Sequence, residues 1–291
     1  MPNIEQEINR DEIEKRKEFV ISQFERVGLK IQDYPDLFSR FERLHGPESR
    51  HFEDAAQMVE IIDAIWDDLE KKLPFKLEKE QMILATLLHD VGKSGPKEAT
   101  PEEQELIVTL FDPRHYRAIA EKGERVEDMS ILHAIRGSDL EEGVQRKVAK
   151  YLRKLGVDIV SETMIDFWRR HADWTYDILK ASKDDKINER LAAMAASHHI
   201  LDGKNPAGLD PENISQEAKA IETIETYEVL TLVDKFQAFV KRSGLSHAEA
   251  IKALHGIIDR QKFPERVKDD YRKILEVIEA SGEKIIAKMK S

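Results

Sequence analysis

The chain has no cysteine. Disulfides, thiolate zinc sites, iron–sulfur clusters and cysteine nucleophiles are therefore excluded, and any bound metal must rely on imidazole and carboxylate. Glycine (13) and proline (10) are both scarce among the 291 residues, which disfavours turn-rich β architectures. No apolar run reaches the ~20 residues of a membrane helix. The opening residues Met1-Pro2-Asn3-Ile4-Glu5 have neither the basic nor the apolar region of a signal peptide, so the cytoplasm is the expected compartment. A basic stripe is also missing. With a net charge of −11, an extended nucleic-acid surface is not expected. A small phosphate ligand stays compatible, because a local metal cluster can reverse the sign of the field inside one cleft.

What the chain does have is helical periodicity: apolar residues recur at spacings of three and four along nearly its whole length, and period-two alternation is almost absent. An all-α fold is expected. Ile13, Val20, Phe24 and Val27 form one stripe in a helix over about 5–27. A second helix is expected from His51 to about Lys72. The segment 80–90 is apolar nearly all round (Met82, Ile83, Leu84, Leu87, Leu88) and reads as a buried helix stopped by Gly92, Gly95 and Pro96. Thr100-Pro101-Glu102-Glu103 is a helix start with a capping box. Shorter helices are expected in 115–155, then helices over about 161–181 and 187–199, a loop over 202–214, and helices over 215–243, 246–255 and 264–290. In the last of these, Val267, Tyr271, Ile274, Ile278, Ile285 and Met289 share a stripe that suits packing on the body better than a dimer-forming coil. The expected organisation is an N-terminal helical extension (1–45), a central domain (46–260) with a helical insertion at about 100–155, and a C-terminal helix (261–291).

Ten histidines give many chances of accidental patterns. The informative one is His89, followed by Asp90, Val91, Gly92 and Lys93. A buried apolar helix ending in adjacent imidazole and carboxylate is costly unless both are satisfied, and a metal ion satisfies both. His51 opens a helix, His171 lies beside an apolar helix face, and His198-His199 close a helix ahead of the main loop. Asp234 interrupts the apolar run Leu230-Thr231-Leu232-Val233. His247 sits in the capping box of Ser246 and Glu249, and His45, His115, His133 and His255 lack a partner pattern.

The order His51, His89-Asp90, Asp234 resembles the H…HD…D signature of HD-domain metal-dependent phosphohydrolases. His171 with Ile178-Leu179, His198-His199 with Asp202-Gly203 and Pro206, and Asp234 with Phe236 and Ala238 are similar to the HD-GYP branch. The resemblance covers about 49–240. The chain departs from that branch in five places, one of them the stretch between His199 and Asp202, which is a residue shorter. The loop Asp202-Gly203-Lys204-Asn205-Pro206 lacks the Gly-Tyr pair, Ile200 replaces a glutamate, and no glutamate lies four residues before His51. About 80 residues separate Asp90 from His171, which is what marks 100–155 as an insertion.

The resemblance implies a helical HD bundle holding two first-row divalent ions, Fe or Mn. His51, His89 and Asp234 would lie mainly on one ion, His171 with His198 or His199 on the other, and Asp90 between them. Asp90 and Lys93 would be the catalytic pair, with Lys93, Asp202, Gly203 and Lys204 against the substrate. The implied reaction is attack of a metal-activated hydroxide on a phosphodiester, with cyclic di-GMP or a related nucleotide as substrate. Each ligating imidazole should donate its second N–H to a carbonyl or carboxylate, Asp173 and Asp202 being the acidic options. Two other readings stay open: a degenerate receptor that keeps metal and nucleotide without turnover, and a helical interaction protein with structural histidines. Expected partners are a small phosphate ester or cyclic dinucleotide, and possible ones a second copy of the chain or a signalling protein; a membrane is not among them.

Overall fold

Helix starts follow the caps written in the sequence. The side-chain oxygens of Thr100, Ser130, Thr163, Asn188 and Ser246 each accept the amide N–H three residues on, satisfying a donor the helix leaves without a partner. Thr100–Glu103 and Ser246–Glu249 are complete capping boxes. The computed structural model of the chain describes residues 4–46, 49–73, 78–182, 185–202 and 224–290. Among these there are fourteen α-helices and no strand; only Ser130 and Thr163 form an isolated bridge. The helices are α1 (Ile4–Glu25), α2 (Pro35–Leu44), α3 (His51–Lys72), α4 (Lys79–Leu88), α5 (Pro101–Phe111), α6 (Arg117–Ala120), α7 (Ile131–Gly137), α8 (Glu142–Lys154), α9 (Met164–Lys180), α10 (Glu189–Ala196), α11 (Ile224–Lys241), α12 (His247–Arg260), α13 (Glu265–Ala280) and α14 (Gly282–Lys290). The all-α expectation holds, and no described helix is long and apolar enough to cross a membrane.

Three boundaries differ from expectation. A separate helix, α2, precedes the central region and begins at Pro35, whose fixed φ suits a first helical turn. The histidine pair lies in a 3₁₀ turn, Ser197–Asp202, rather than in the end of α10. The C-terminal stretch is two helices parted at Ser281, and the second opens on a closely packed glycine: a Cβ on Gly282 would lie 2.9 Å from the His247 ring. The stripe on α13 and α14 packs on the body as expected. Tyr271, Ile274, Ile278 and Ile285 are fully buried, and the Gln57 amide on α3 reaches the Met289 carbonyl at 3.0 Å.

The buried apolar residues form two clusters. The larger draws on α1–α4 and α10–α14, joined by Val108 of α5, with Phe24, Phe41, Phe52, Trp66, Phe236 and Tyr271 among its members. The smaller is confined to 107–167. Helix α9 belongs to both, with Met164 and Phe167 in the small core and Ile178 and Leu179 in the large one. His171 lies between these two halves.

Candidate metal centre

The site is built on the end of α4. His89 and Asp90 are 1% and 7% exposed, and the chain then tightens into the 3₁₀ turn Val91–Ser94. Gly92 sets how close that turn comes to α9, because a Cβ there would fall 2.0 Å from the His171 carbonyl oxygen and 2.6 Å from the Thr175 nitrogen. Thr175 fastens the contact. Its hydroxyl accepts the Gly92 N–H at 3.0 Å and donates to the His89 carbonyl at 2.9 Å. From the other side, fully buried Arg40 on α2 uses all of its donors. It binds the Asp36 carboxylate, the Ser94 hydroxyl and the carbonyls of Gly95, Pro96 and Lys97.

Four imidazoles are held the same way. The Nδ1 atoms of His89 and His198 lie 2.7 Å from the carbonyls of Thr86 and Ala195, three residues back. His171 Nδ1 meets the Trp168 carbonyl, and His199 Nδ1 lies 2.9 Å from the Asp202 carboxylate. These partners only accept, so each Nδ1 carries the proton and, in the neutral ring, each Nε2 is left with a bare lone pair.

Those lone pairs converge. His171 Nε2 is 2.9 Å from His198 Nε2 and 3.2 Å from His199 Nε2, and it lies 3.2 Å from Asp90 Oδ1. Asp90 Oδ1 is also 3.8 Å from His198 Nε2, and Oδ2 is 3.5 Å from His89 Nε2. Lone pairs facing one another repel unless a cation lies between them. Two nitrogens binding one first-row ion at right angles, each at about 2.1 Å, would be about 3 Å apart, which matches the spacing around His171. Two overlapping sets offer ligand atoms within 4.8 Å of one another: His171, His198 and His199, and His89, Asp90 and His198.

The electrostatics suit a metal. Burial pushes His51 and His198 well below the usual imidazole value, and His171 down to about 4, so all three stay neutral and able to coordinate at pH 7. Burial would raise the Asp90 pKa, yet His89 and His171 once protonated, and the Lys93 ammonium throughout, hold it well below the ordinary carboxylate value. Lys93, itself buried, forms an ion pair with Asp90 Oδ2.

The remaining sequence-expected residues fall as follows. His51 is 8% exposed, close enough to feel Lys93, Asp90 and His171, and its Nε2 is buried without a partner. A buried donor or acceptor left in that state carries a desolvation cost that a ligand would remove. Asp234 is half-buried on α11 and belongs to neither ligand set. Asp202 orients His199 and is gripped in turn by Lys235 at 2.6 Å. Gly203, Lys204 and Pro206 lie outside the described residues. Asp173, one of the two acidic options for an imidazole N–H, is exposed, and His171 Nδ1 meets the Trp168 carbonyl. Of the histidines expected to lack partners, His115 has one, Asp139 at 2.7 Å, whereas buried His45 keeps Nδ1 without a hydrogen bond, 3.6 Å from Glu53.

Sequence reasoning missed Thr175, Arg40, Trp168 and Phe111. The Phe111 ring meets the rings of both His51 and His171 edge-on, at centroid distances of 6.4 and 5.7 Å. The Trp168 indole N–H donates to the Leu110 carbonyl at 2.9 Å, tying the His171 support to α5. Only Thr175 left a usable signal, a hydroxyl four residues after His171 on the same helix face. Compared with known proteins, the chain matches no family model, no curated protein and no solved structure.

Proposed function

We propose that the chain is a metal-dependent phosphohydrolase of the HD-domain kind. The observation that carries this reading is the meeting of four Nε2 lone pairs and one carboxylate in a buried cluster, each imidazole fixed through Nδ1. A metal fits, because it would satisfy the facing lone pairs and the orphaned His51 Nε2. An imidazole-rich set suits Fe, Zn or Ni better than Mg or Mn, so Fe leads the pair of metals the resemblance implies. When bound, such ions supply Lewis acidity and a nucleophile drawn from water at neutral pH. The chain's own residues would do the rest. Carbonyls and Asp202 hold the rings, Asp90 supplies the negative charge, and the ammonium of Lys93, paired with Asp90, would meet a phosphate oxygen. A phosphodiester, with cyclic dinucleotides first to be tried, is the proposed substrate class. The second reading, a nucleotide receptor without turnover, is favoured by the missing Gly-Tyr pair in the loop that follows Asp202.

Elemental analysis of protein purified without added metal is the first test. At least one equivalent of a first-row metal is expected, falling to background in Asp90→Ala and unchanged in His133→Ala, where the histidine is exposed. Protein that neither carries nor takes up metal would refute the proposal. The metal-loaded protein should hydrolyse bis(p-nitrophenyl) phosphate and cleave at least one cyclic dinucleotide faster. Nucleotide binding without any turnover would favour the receptor.

A further inference from the structure

The two ligand sets are unequal in a way that rests on the metal reading but goes beyond it. Both require His198, yet a neutral imidazole protonated at Nδ1 has a single lone pair on Nε2 and can bind only one ion through it. Around Asp90 Oδ1 stand His171 and His198, with His199 next to His171. Around Oδ2 stand His89 at 3.5 Å and the Lys93 ammonium. Asp90 is also the only carboxylate in either set.

We propose that the centre loads unequally: His171, His198, His199 and Asp90 Oδ1 take one ion tightly, while Lys93 holds Asp90 Oδ2 against a second. The charge count gives the reason. With neutral imidazoles, Asp90 and Lys93 cancel, so the first divalent ion brings the cluster to a charge of two and a second would bring it to four. Neither set contains another carboxylate to offset this. Lys93 is buried on a short tether, three residues from Asp90, and a buried ammonium cannot leave its counter-ion without a strong penalty. The second ion must therefore displace Lys93 and bind beside it, with His89 and Asp90 Oδ2 as ligands and His51, whose buried Nε2 has no partner, as a further imidazole within electrostatic reach of Asp90. Lys93 thus acts as a built-in cation that reserves half of the bridging carboxylate.

The test is a calorimetric titration of chelator-stripped, full-length protein with Co(II) alone, with circular dichroism as the check on folding. Wild type should bind one equivalent tightly and a second at least about 100-fold more weakly. Lys93→Met and Lys93→Gln should each tighten the second step by about 10–100-fold, the usual reach of groups that act through a ligand, and tighten the first step by less, since the ammonium sits on the other oxygen of Asp90. The proposal is overturned if wild type takes two ions with equal affinity, if neither variant moves the second step, or if both variants weaken both steps. If one variant fails to fold, the other variant and the wild-type isotherm still decide. A protein that binds no cobalt in any form refutes the metal reading itself, an outcome distinct from two equal sites.

Discussion

The large core and the small core contribute to the cluster in different ways. Helix α4 and the 3₁₀ turn after α10, both packed in the large core, bring His89, Asp90, His198 and His199. The small core, whose buried members lie within 107–167 with Trp168 packed against them, supplies none of the ligand atoms in the two sets but touches the site twice. Phe111 forms a wall against His51 and His171, and the Trp168 carbonyl fixes the His171 ring. Helix α9 bridges the cores and places His171 at their boundary. One region therefore delivers donor atoms and the other aims one of them. A fault in the large core or at the seam should remove the site. A fault confined to the small core should disturb local structure and spare the rest.

Acid should produce the largest effect, because it acts on the buried imidazoles directly. Burial lowers the folded pKa of His171 from 6.5 to about 4, while the unfolded chain keeps the ordinary value. Unfolding is then linked to proton uptake. Stability is fully present above the unfolded pKa and is lost as pH falls from about 6.5 toward 4, by about 3 kcal/mol for His171 alone. His51 and His198 are lowered in the same direction and add to the loss. Asp90, with its folded pKa depressed, extends it below pH 4. Urea midpoints of chelator-treated protein between pH 7.5 and 4 measure this, and a flat profile would mean that the imidazoles are not buried neutral groups.

Gly92→Ala probes the seam. The added carbon cannot coexist with a carbonyl oxygen 2.0 Å away, so the turn must lift from α9. We expect a loss of about 2–3 kcal/mol, typical of overpacking, together with weaker metal binding. Retained stability and full metal content would show that the two cores do not need this close contact.

The smallest change, Thr100→Ala, tests whether the small core fails locally. It removes the hydroxyl that accepts the Glu103 amide at the start of α5 and should cost about 1 kcal/mol. Hydrogen exchange should quicken in 101–111 and stay unchanged in α3 and α4. Equal acceleration in both regions would make the two cores one cooperative unit.

Much of the fold was legible because helix signals are local. The capping boxes at Thr100 and Ser246, the proline start of α5 and the buried run before His89 depend on residues within a few positions of one another. The C-terminal break at Gly282 was not legible. The glycine there answers to the His247 ring, 35 positions earlier in the sequence. Helix α2 was missed although Pro35 is a local start signal; what could not be read was the role of Arg40, most of whose acceptors lie more than 50 positions away, at 94–97.

At the site, residue chemistry was readable and assembly was not. Side chains with lone pairs and charges stand out in a sequence, so the histidines, Asp90 and Lys93 could be named from it. The expected choice between His198 and His199 dissolved in three dimensions, where both approach His171. The carbonyls that orient three of the rings, from Thr86, Trp168 and Ala195, are invisible in a sequence because every residue has one. The sequence alone determined helix, cap and donor type, which follow from local periodicity and side-chain chemistry. Tertiary structure alone decided that a glycine and a threonine clamp two helices together, that two imidazoles share one neighbour and that Lys93 occupies one oxygen of Asp90. Each of these is a contact or support whose geometry only the folded chain sets.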